Sequence, residues 1–465
     1  MIRPGLCLLL ACLGCVRYEP RPLDPALHPA EVRSRSLGDS ALASLVARHA
    51  GRPDPARWTD RQLAVAALML RSDLRRLRAE WRAARAALRT AGERPGTGVQ
   101  GEVERRVSGR DEGSPWVVAV GGMLAVELGG KRGARLQAAR AEAALAETRL
   151  LAAAWSAALG TRQTAAALVH AGAAVDDARA EVTALEEVHR LERARYAEAA
   201  LGTSDLARTA TEIQQARLAL AEAENDVLQA RAALAASVAV PVRAIEAMTP
   251  ALTEPAGCGS LDSVPADSIV GEALGRRHDV ARALGRYAVA ESRLRLEVAR
   301  QYPDLELGPG FIWDQGVNRW TLALALPALL GARNRGAIAG AVAAREVAGL
   351  HVAEVQDSVL ADVESAVQRC RGAILEVVGA DSVVAAAATL LERDRAAYQR
   401  GETTRLESAR AELQLLRARR AHRGARQRLA VASLELERVA GGPSPEAADQ
   451  WPDPRVDPEE EARRP

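Results

Sequence analysis

Aromatic residues make up only 3% of the 465 residues, with a single phenylalanine, and one lysine stands among 62 basic residues. Alanine and leucine fill most segments instead, the composition of long, closely packed helices. The length would hold two or three ordinary domains, but long coiled coils bury a seam and no globular core, so length decides little. An excess of one charge is also missing. The 62 basic and 60 acidic residues leave +2, which excludes a globally basic nucleic-acid binder and gives no reason to expect a strongly acidic partner. Cysteine is sparse, and beyond the first fifteen residues only Cys258 and Cys370 remain, too few for a disulfide framework and without zinc spacing. The seven histidines are scattered, and His278 and His351 read as solvated helix residues. There is no nucleotide loop, nucleophile elbow or clustered acid and base. "GGMLAVELGG" is glycine-rich but lacks the lysine placement of a phosphate loop. The sequence therefore offers no catalytic residue, no cofactor site and no metal site, and an enzyme is not expected.

The N-terminus has a charged start at Arg3 and the apolar run "LCLLLACLG", too short to span a bilayer as a mature helix. It reads as an export signal. Gly14 before Cys15, or Ala11 before Cys12, resembles a bacterial lipoprotein cleavage site. Cys15 leaves the longer apolar run and is the expected lipidation site, so residues 1–15 are signal and anchor, and an N-terminal lipid is the one modification expected.

Self-similarity organises the rest. "LMLRSDLRRLRAEW" around Asp73 matches "LGRRHDVARALGRY" around Asp279, an offset of 206, while "RGA" recurs from Arg132 at Arg335 and "LER" from Leu191 at Leu391. Two units follow, 59–240 and 267–441, with an N-terminal segment 16–58, a linker 241–266 and a C-terminal tail 442–465. Each reads as helix, hairpin, very long helix, tight turn and returning helix. Thr59 or Asp60 can cap the first helix, running to about Ala91. Asp267 can cap its counterpart, running to about Arg300, and Pro95 and Pro303 stop them.

After each proline the period becomes two, giving hairpins at 98–128 and 304–327. Leu305, Leu307, Phe311 and Trp313 point one way, and Trp320, Leu322, Leu324 and Leu326 oppose Thr321, Ala323 and Ala325. The strands approach the roughly 9 to 11 residues that cross an outer membrane, and Trp116, Trp313 and Trp320 suit an aromatic belt. Four strands cannot close a membrane barrel alone, so several chains must contribute. Helical spacing without proline then runs over 133–200 and 336–399, roughly 100 Å each. The returning helices, 204–238 and 404–440, carry seven-residue ladders such as Leu206, Ile213, Leu220, Val227 and Leu234.

These features together resemble the TolC family of outer-membrane efflux channels over nearly the whole chain. The residues that carry the likeness are "CVRYEPRPL", "RRHDVARA", "YPDLELG", "RYAEAALGTSDL" and "AYQRGETTRL". The family usually has proline where His278 stands. "ELGGKRGAR" and "GARNRGAIAGA" are similar to the cobalt-zinc-cadmium resistance (CzcC-like) branch. The resemblance implies a mainly α fold with a small membrane β part. As a homotrimer it would close a twelve-stranded β-barrel onto a twelve-helix periplasmic tunnel, lipid-anchored in the outer membrane. It also implies a periplasmic adaptor and an inner-membrane resistance-nodulation-division transporter as partners, divalent metal ions or drugs as cargo, and no nucleic acid. The alternative is a periplasmic adaptor lipoprotein, which would have one helical hairpin flanked by halves of a lipoyl-like β domain.

In that frame Gly129, Gly130 and Gly133 allow the sharp change from membrane strand to helix, and Lys131 and Arg132 lie near the lipid interface. The turns Leu201, Gly202, Thr203 and Arg400, Gly401, Glu402, Thr403 form the periplasmic tip where an adaptor docks, each glycine supplying a left-handed residue. The gate candidates are Glu407, Arg208 and Arg410, with Glu407 pairing with one of the arginines. Cys258 and Cys370 meet if the linker wraps the tunnel's waist.

Overall fold

The computed structural model describes residues 18–54, 56–105, 107–108, 114–253, 257–260, 266–314, 316–325, 334–441 and 451–456. The signal and Cys15, Leu326 of the outward set and most of the tail lie outside them.

Two short helices come first, α1 (Leu27–Ser34) and α2 (Ser40–Ala50), the second capped by Asp39, whose carboxylate accepts from the N–H groups of Ala41 and Leu42. The first unit follows as α3 (Asp60–Leu70), α4 (Ser72–Gly92), β1 (Gly98–Arg105), β2 (Trp116–Val126), α5 (Lys131–Ala197) and α6 (Thr203–Val238). The second repeats the order as α7 (Ala266–Arg276), α8 (His278–Ala299), β3 (Leu305–Asp314), β4 (Val317–Ala325), α9 (Arg335–Gln399) and α10 (Arg405–Val439).

The opening helix of each unit is broken, where the sequence period suggested one continuous helix. Arg71 and Arg277 are extended, with ψ of 126° and 129°. Each guanidinium turns onto the aspartate two residues on. Arg71 reaches Asp73 at 3.0 and 2.8 Å, and Arg277 reaches Asp279 at 3.0 and 2.5 Å. A bidentate charged pair of this kind offsets the helix hydrogen bonds lost at the break. It leaves no mark on an apolar period, because neither site carries a proline. Thr59 is the cap of α3 and forms a capping box with Gln62. Asp60 is instead buried and accepts from Arg162 at 2.9 Å, and the same guanidinium binds Glu437 at 2.8 Å. Asp267 lies inside the first turn of α7, not at its cap.

The strands form one antiparallel sheet in the order β1-β2-β3-β4, so the two hairpins join through β2 and β3. Pairing of Val103 with Val118, Val118 with Trp313 and Phe311 with Trp320 fixes which side chains share a face. One face carries Val99, Val103, Val120, Leu124, Leu307, Phe311, Trp320, Leu322 and Leu324. The other carries Glu102, Glu104, Ala119, Gly121, Gly308, Gly310, Thr321 and Ala323, with Val117, Met123, Ile312 and Val317 between them. Both edges, β1 and β4, are unpaired among the described residues.

α5 and α9 are single helices of 67 and 65 residues, about 100 Å each. α5 packs against α4 and α8 on the sheet side of the waist and against α6 and α10 beyond it. α9 packs against α8 and then α10. The helical wall therefore has the order α4-α5-α8-α9 near the sheet and α6-α5-α10-α9 towards the tip. Buried side chains concentrate at the waist, where Leu42, Val46, Trp58, Leu63, Leu168, Leu234 and Ile245 meet. Farther out the seams thin to groups such as Leu185, Ile213 and Leu413. On the opposite side of the waist Cys258 and Cys370 form a disulfide with Cα atoms 5.5 Å apart, closing 112 residues. A crosslink of that span removes on the order of 4 to 5 kcal/mol of unfolded-chain entropy.

Candidate functional site: strand-to-helix junction and helical tip

At the first junction Gly129 and Gly130 have φ of +69° and +73°, and α5 begins at the next residue. A Cβ on Gly129 would stand 2.5 Å from the Tyr302 ring and 2.9 Å from Tyr302 Cβ, whereas one on Gly130 would meet open space. Gly133 takes no part in the turn, since it lies within the helix without a positive φ. Lys131 does not reach towards lipid. Its Nζ lies 2.7 Å from Asp304 Oδ1 and its side chain is 13% exposed, so the lone lysine ties the start of α5 to the residue before β3. Arg132 Nε donates to Gly92 O at 2.7 Å, and Arg135 donates to Ala91 O and Glu93 O at 3.0 and 2.8 Å. Guanidinium groups thus satisfy the final carbonyls of α4, where a cation also suits the helix dipole. The second junction uses Asn334, at φ +51°, whose Nδ2 donates to Glu297 O at 2.9 Å. Sequence reading passed over Asn334. The available signal was an asparagine, the residue after glycine most tolerant of left-handed backbone, directly before a helix.

On the sheet, Trp320, Leu322 and Leu324 are 84%, 71% and 66% exposed. Trp116, Trp313 and Trp320 all lie towards the end of the sheet that holds the β3–β4 turn, with Phe311 and Trp320 rings 5.1 Å apart and Arg105 over the Trp116 ring. The three tryptophans thus cluster at one end of the sheet, and Tyr302 stands at the other.

At the tip the two turns differ. Gly401 has φ +74°, but Gly202 is extended, at φ −84° and ψ 158°, and serves as the N-cap position of α6 before Thr203. The left-handed residue of the first turn is Ala199, φ +55°, and Leu201 is half-buried. Offsets from a matched tyrosine explain the difference: Tyr196 to Ala199 equals Tyr398 to Gly401. Arg400 binds Glu402 through two contacts of 2.8 and 2.7 Å, and Thr403 Oγ1 donates to Glu407 at 2.9 Å.

Within the chain Glu407 pairs with neither Arg208 nor Arg410. It closes a capping box at the start of α10, accepting from the side chain and backbone N–H of Thr404. Those bonds, with that from Thr403, hold its carboxyl at about 2. Arg208 is 71% exposed and only approaches Asp205, at 3.8 Å. Arg410 instead donates to Glu192 on α5 at 2.7 Å, and Thr209 on α6 donates to the other Glu192 oxygen at 2.6 Å. Glu192, 2% exposed, therefore ties three helices together near the tip. Further along the α5–α10 seam Arg417 and Arg420 both reach Glu181, and Arg423 reaches Asp177. Glu192 and Thr209 were not singled out from sequence, because helical spacing alone does not show which acid of a charged helix faces inward.

Of the histidines, His278 departs from expectation, while His351 stays at the surface. His278 is half-buried, and burial pushes its pKa down, with Arg282 adding to the effect. His351 sits between Glu354 and Arg286, at 3.1 and 3.0 Å. Among the described residues no group of three or more histidines, cysteines or acids could hold a metal ion.

Residues 269–442, most of the second unit, match the outer membrane efflux protein family. No curated protein matches the chain. Solved structures with the same fold include the outer membrane protein VceC from Vibrio cholerae, at TM-score 0.65 and 21% identity over 82% of this chain and 96% of that one. The CmeC outer membrane channel of Campylobacter jejuni aligns at TM-score 0.65 and 16% identity, covering 87% and 89%. The open state of the MtrE outer membrane channel of Neisseria gonorrhoeae aligns at 0.60 and 19%, covering 91% and 97%. The fold is thus that of the outer-membrane efflux channels, and the second unit carries that family's sequence signature.

Proposed function

We propose that the chain is the outer-membrane exit duct of an efflux system, three copies forming a passive path from periplasm to exterior. The observation that carries this is the four-stranded sheet, with its large exposed apolar side chains mainly on one face, its small and charged residues mainly on the other, and bare at both edges. Lipid accepts no open sheet edge, and three chains of four strands give a barrel without one. The helical wall suits the same closure. α9 is its free edge on one side, with α4 and α6 on the other, and the most apolar stretch of α9 is almost wholly exposed in the single chain. A length near 100 Å makes that helix a tunnel wall and not a membrane span. The adaptor alternative fits poorly, since it needs one helical hairpin where this chain has two.

Lipid anchoring at Cys15 suits the geometry. Glu31 accepts from Arg75 at 3.3 Å, which sets α1 beside the lower part of α4. From Arg75 up α4 to the sheet is about 26 Å, while the chain from Glu31 back to Cys15 reaches about 40 Å. The Cys258–Cys370 disulfide suits an oxidising periplasm. An adaptor would dock at the tip turns, a resistance-nodulation-division transporter would supply energy, and divalent metal ions remain the preferred cargo on branch resemblance. The gate is reassigned from Glu407 to the Arg410–Glu192–Thr209 tie.

Sedimentation of the detergent-extracted protein, followed by planar-bilayer recording, tests the duct. A trimer with stable conductance is expected. A monomer recovered without detergent would overturn the reading.

A further inference from the structure

Near the sheet the two units meet within the chain, and that seam is a reference for the one a second copy would make. There α8, a short helix of the second unit, lies on α5, the long helix of the first. Leu145 of α5 is buried under α8, where a Cβ on Gly285 would stand 3.7 Å from Leu145 Cβ. Closer to the sheet Arg293 of α8 donates to Glu142 of α5 at 2.8 Å. The short helix thus brings the small residue and the cation, the long helix the apolar side chain and the acid.

The two free edges of the wall carry the same division. On α4 the spacing of Ala79, Ala83 and Ala86 puts them on one face, and all three are exposed. Between residues 75 and 89 that helix has six arginines and one acid, Glu80, which is held by Arg76. On α9 Val347 and Leu350 are 67% and 66% exposed and share a face with Glu354. From Glu346 to Glu364 that helix has no lysine or arginine, and Glu346, Glu354, Asp357 and Glu364 are all exposed.

The duplication sets the register. The offset of 206 at Asp73 carries Gly285 back to Ala79. Along the long helices the offset drifts from 203 at Arg132 to 200 at Leu191, which puts the counterpart of Leu145 between 345 and 348. Val347 is the exposed apolar side chain in that window. α4 runs towards the sheet and α9 away from it, so seating Val347 on Ala79 brings Glu346 and Glu354 within about a turn of Arg82 and Arg75.

We propose that a second copy of this chain docks here, its alanine face on α4 receiving Val347 and Leu350 of α9, with arginines of α4 opposite acids of α9. The in-chain seam of α8 on α5 is thereby repeated between copies. Like edges repel, so the contact is head-to-tail and closes a ring, where a two-fold dimer would set acid on acid or arginine on arginine. The inference rests on the reading of the chain as a ring-forming duct and adds which helix faces meet, in what register and with which charges.

Cysteine crosslinking of the full-length detergent-extracted protein under mild oxidation is the test. Ala79→Cys with Val347→Cys should give a ladder of linked copies on a non-reducing denaturing gel, since the reference pair has a Cβ separation within the disulfide range. Gly285→Cys with Leu145→Cys should link only within a chain. Ala79→Cys with Ala361→Cys, about 21 Å farther along α9, should give no ladder. Charge reversal is the second arm and serves if the cysteine variants do not fold. Arg82→Glu and Glu346→Arg should each raise the protein concentration needed for the trimer at least about threefold, and the double variant should return it to the wild-type value. A sedimenting trimer with no ladder through Val347, or reversals that add without rescue, would overturn the contact and leave the duct reading standing. A wild-type chain that sediments as a monomer would overturn both.

Discussion

Gly129, Gly130 and Gly133 are near neighbours in sequence but stand under different physical constraints. Gly129 needs both a left-handed backbone and the absence of a side chain under Tyr302, Gly130 needs the backbone alone, and Gly133 needs neither. Gly129→Ala should therefore cost about 2 to 4 kcal/mol, combining backbone strain with overpacking. Gly130→Ala should cost about 1 to 2 kcal/mol. Gly133→Ala should stabilise by about 0.5 to 1 kcal/mol, as expected for a helix interior. Chemical unfolding of the three variants checks the order, and equal losses at 129 and 130 would contradict the Tyr302 contact. Glu407 makes a second residue-scale case. Its folded pKa lies below the ordinary 4.5, so the capping box contributes fully above that pH and loses its contribution as pH falls towards 2. Protection factors in the first turn of α10, exchange rates divided into the intrinsic rate at each pH, should hold down to about pH 4.5 and fall below it. Glu407→Gln, which has no charge to lose, should show no such step.

At the scale of elements, the strand pairings turn a sequence alternation into two surfaces. Leu322→Arg or Leu324→Arg should block insertion, because arginine near the midplane costs about 2 to 4 kcal/mol per site and a three-chain barrel meets the cost in every copy. Ala323→Ser and Ala325→Ser, on the other face, should insert normally. Protease protection in outer-membrane fractions separates the outcomes, and equal tolerance would remove the strand from the lipid face. The hairpins, both long helices and their returns were legible because period two and period 3.6 differ sharply over many residues. The helix breaks at Arg71 and Arg277 were not, since an arginine closing onto an aspartate leaves the apolar period intact. The tip was half legible. A glycine marks the left-handed residue at 401, but at 199 an alanine holds that conformation and the nearby Gly202 misleads. Glu407 was visible as an acid in the right turn of the helix, yet its partners were set by capping geometry within its own chain.

For the whole molecule, the α5–α10 seam is where the two units meet beyond the waist, and charged contacts line it. Glu192 is its most buried carboxylate, so removing Arg410 leaves that charge with only Thr209. Arg410→Ala and Glu192→Gln should each raise the single-channel conductance of the purified trimer in bilayers, whereas Glu407→Ala should not. Conductance that rises only with Glu407→Ala would return the gate to the capping residue. The Asp60–Arg162–Glu437 network holds the seam's other end, so any opening is expected to be confined to the tip.

The bare edges of the sheet bear on inheritance as much as on transport. The proposed ring of three identical chains has no place to hide one faulty member, because β1 of each copy would meet β4 of the next. A cell making equal amounts of a sound chain and one with a spoiled edge would, with random mixing, close only about one ring in eight from sound chains alone. Such an allele should therefore be dominant, and a strain carrying both copies should lose most of the export through the proposed duct. Full export in that strain would mean that chains select their partners before the barrel closes.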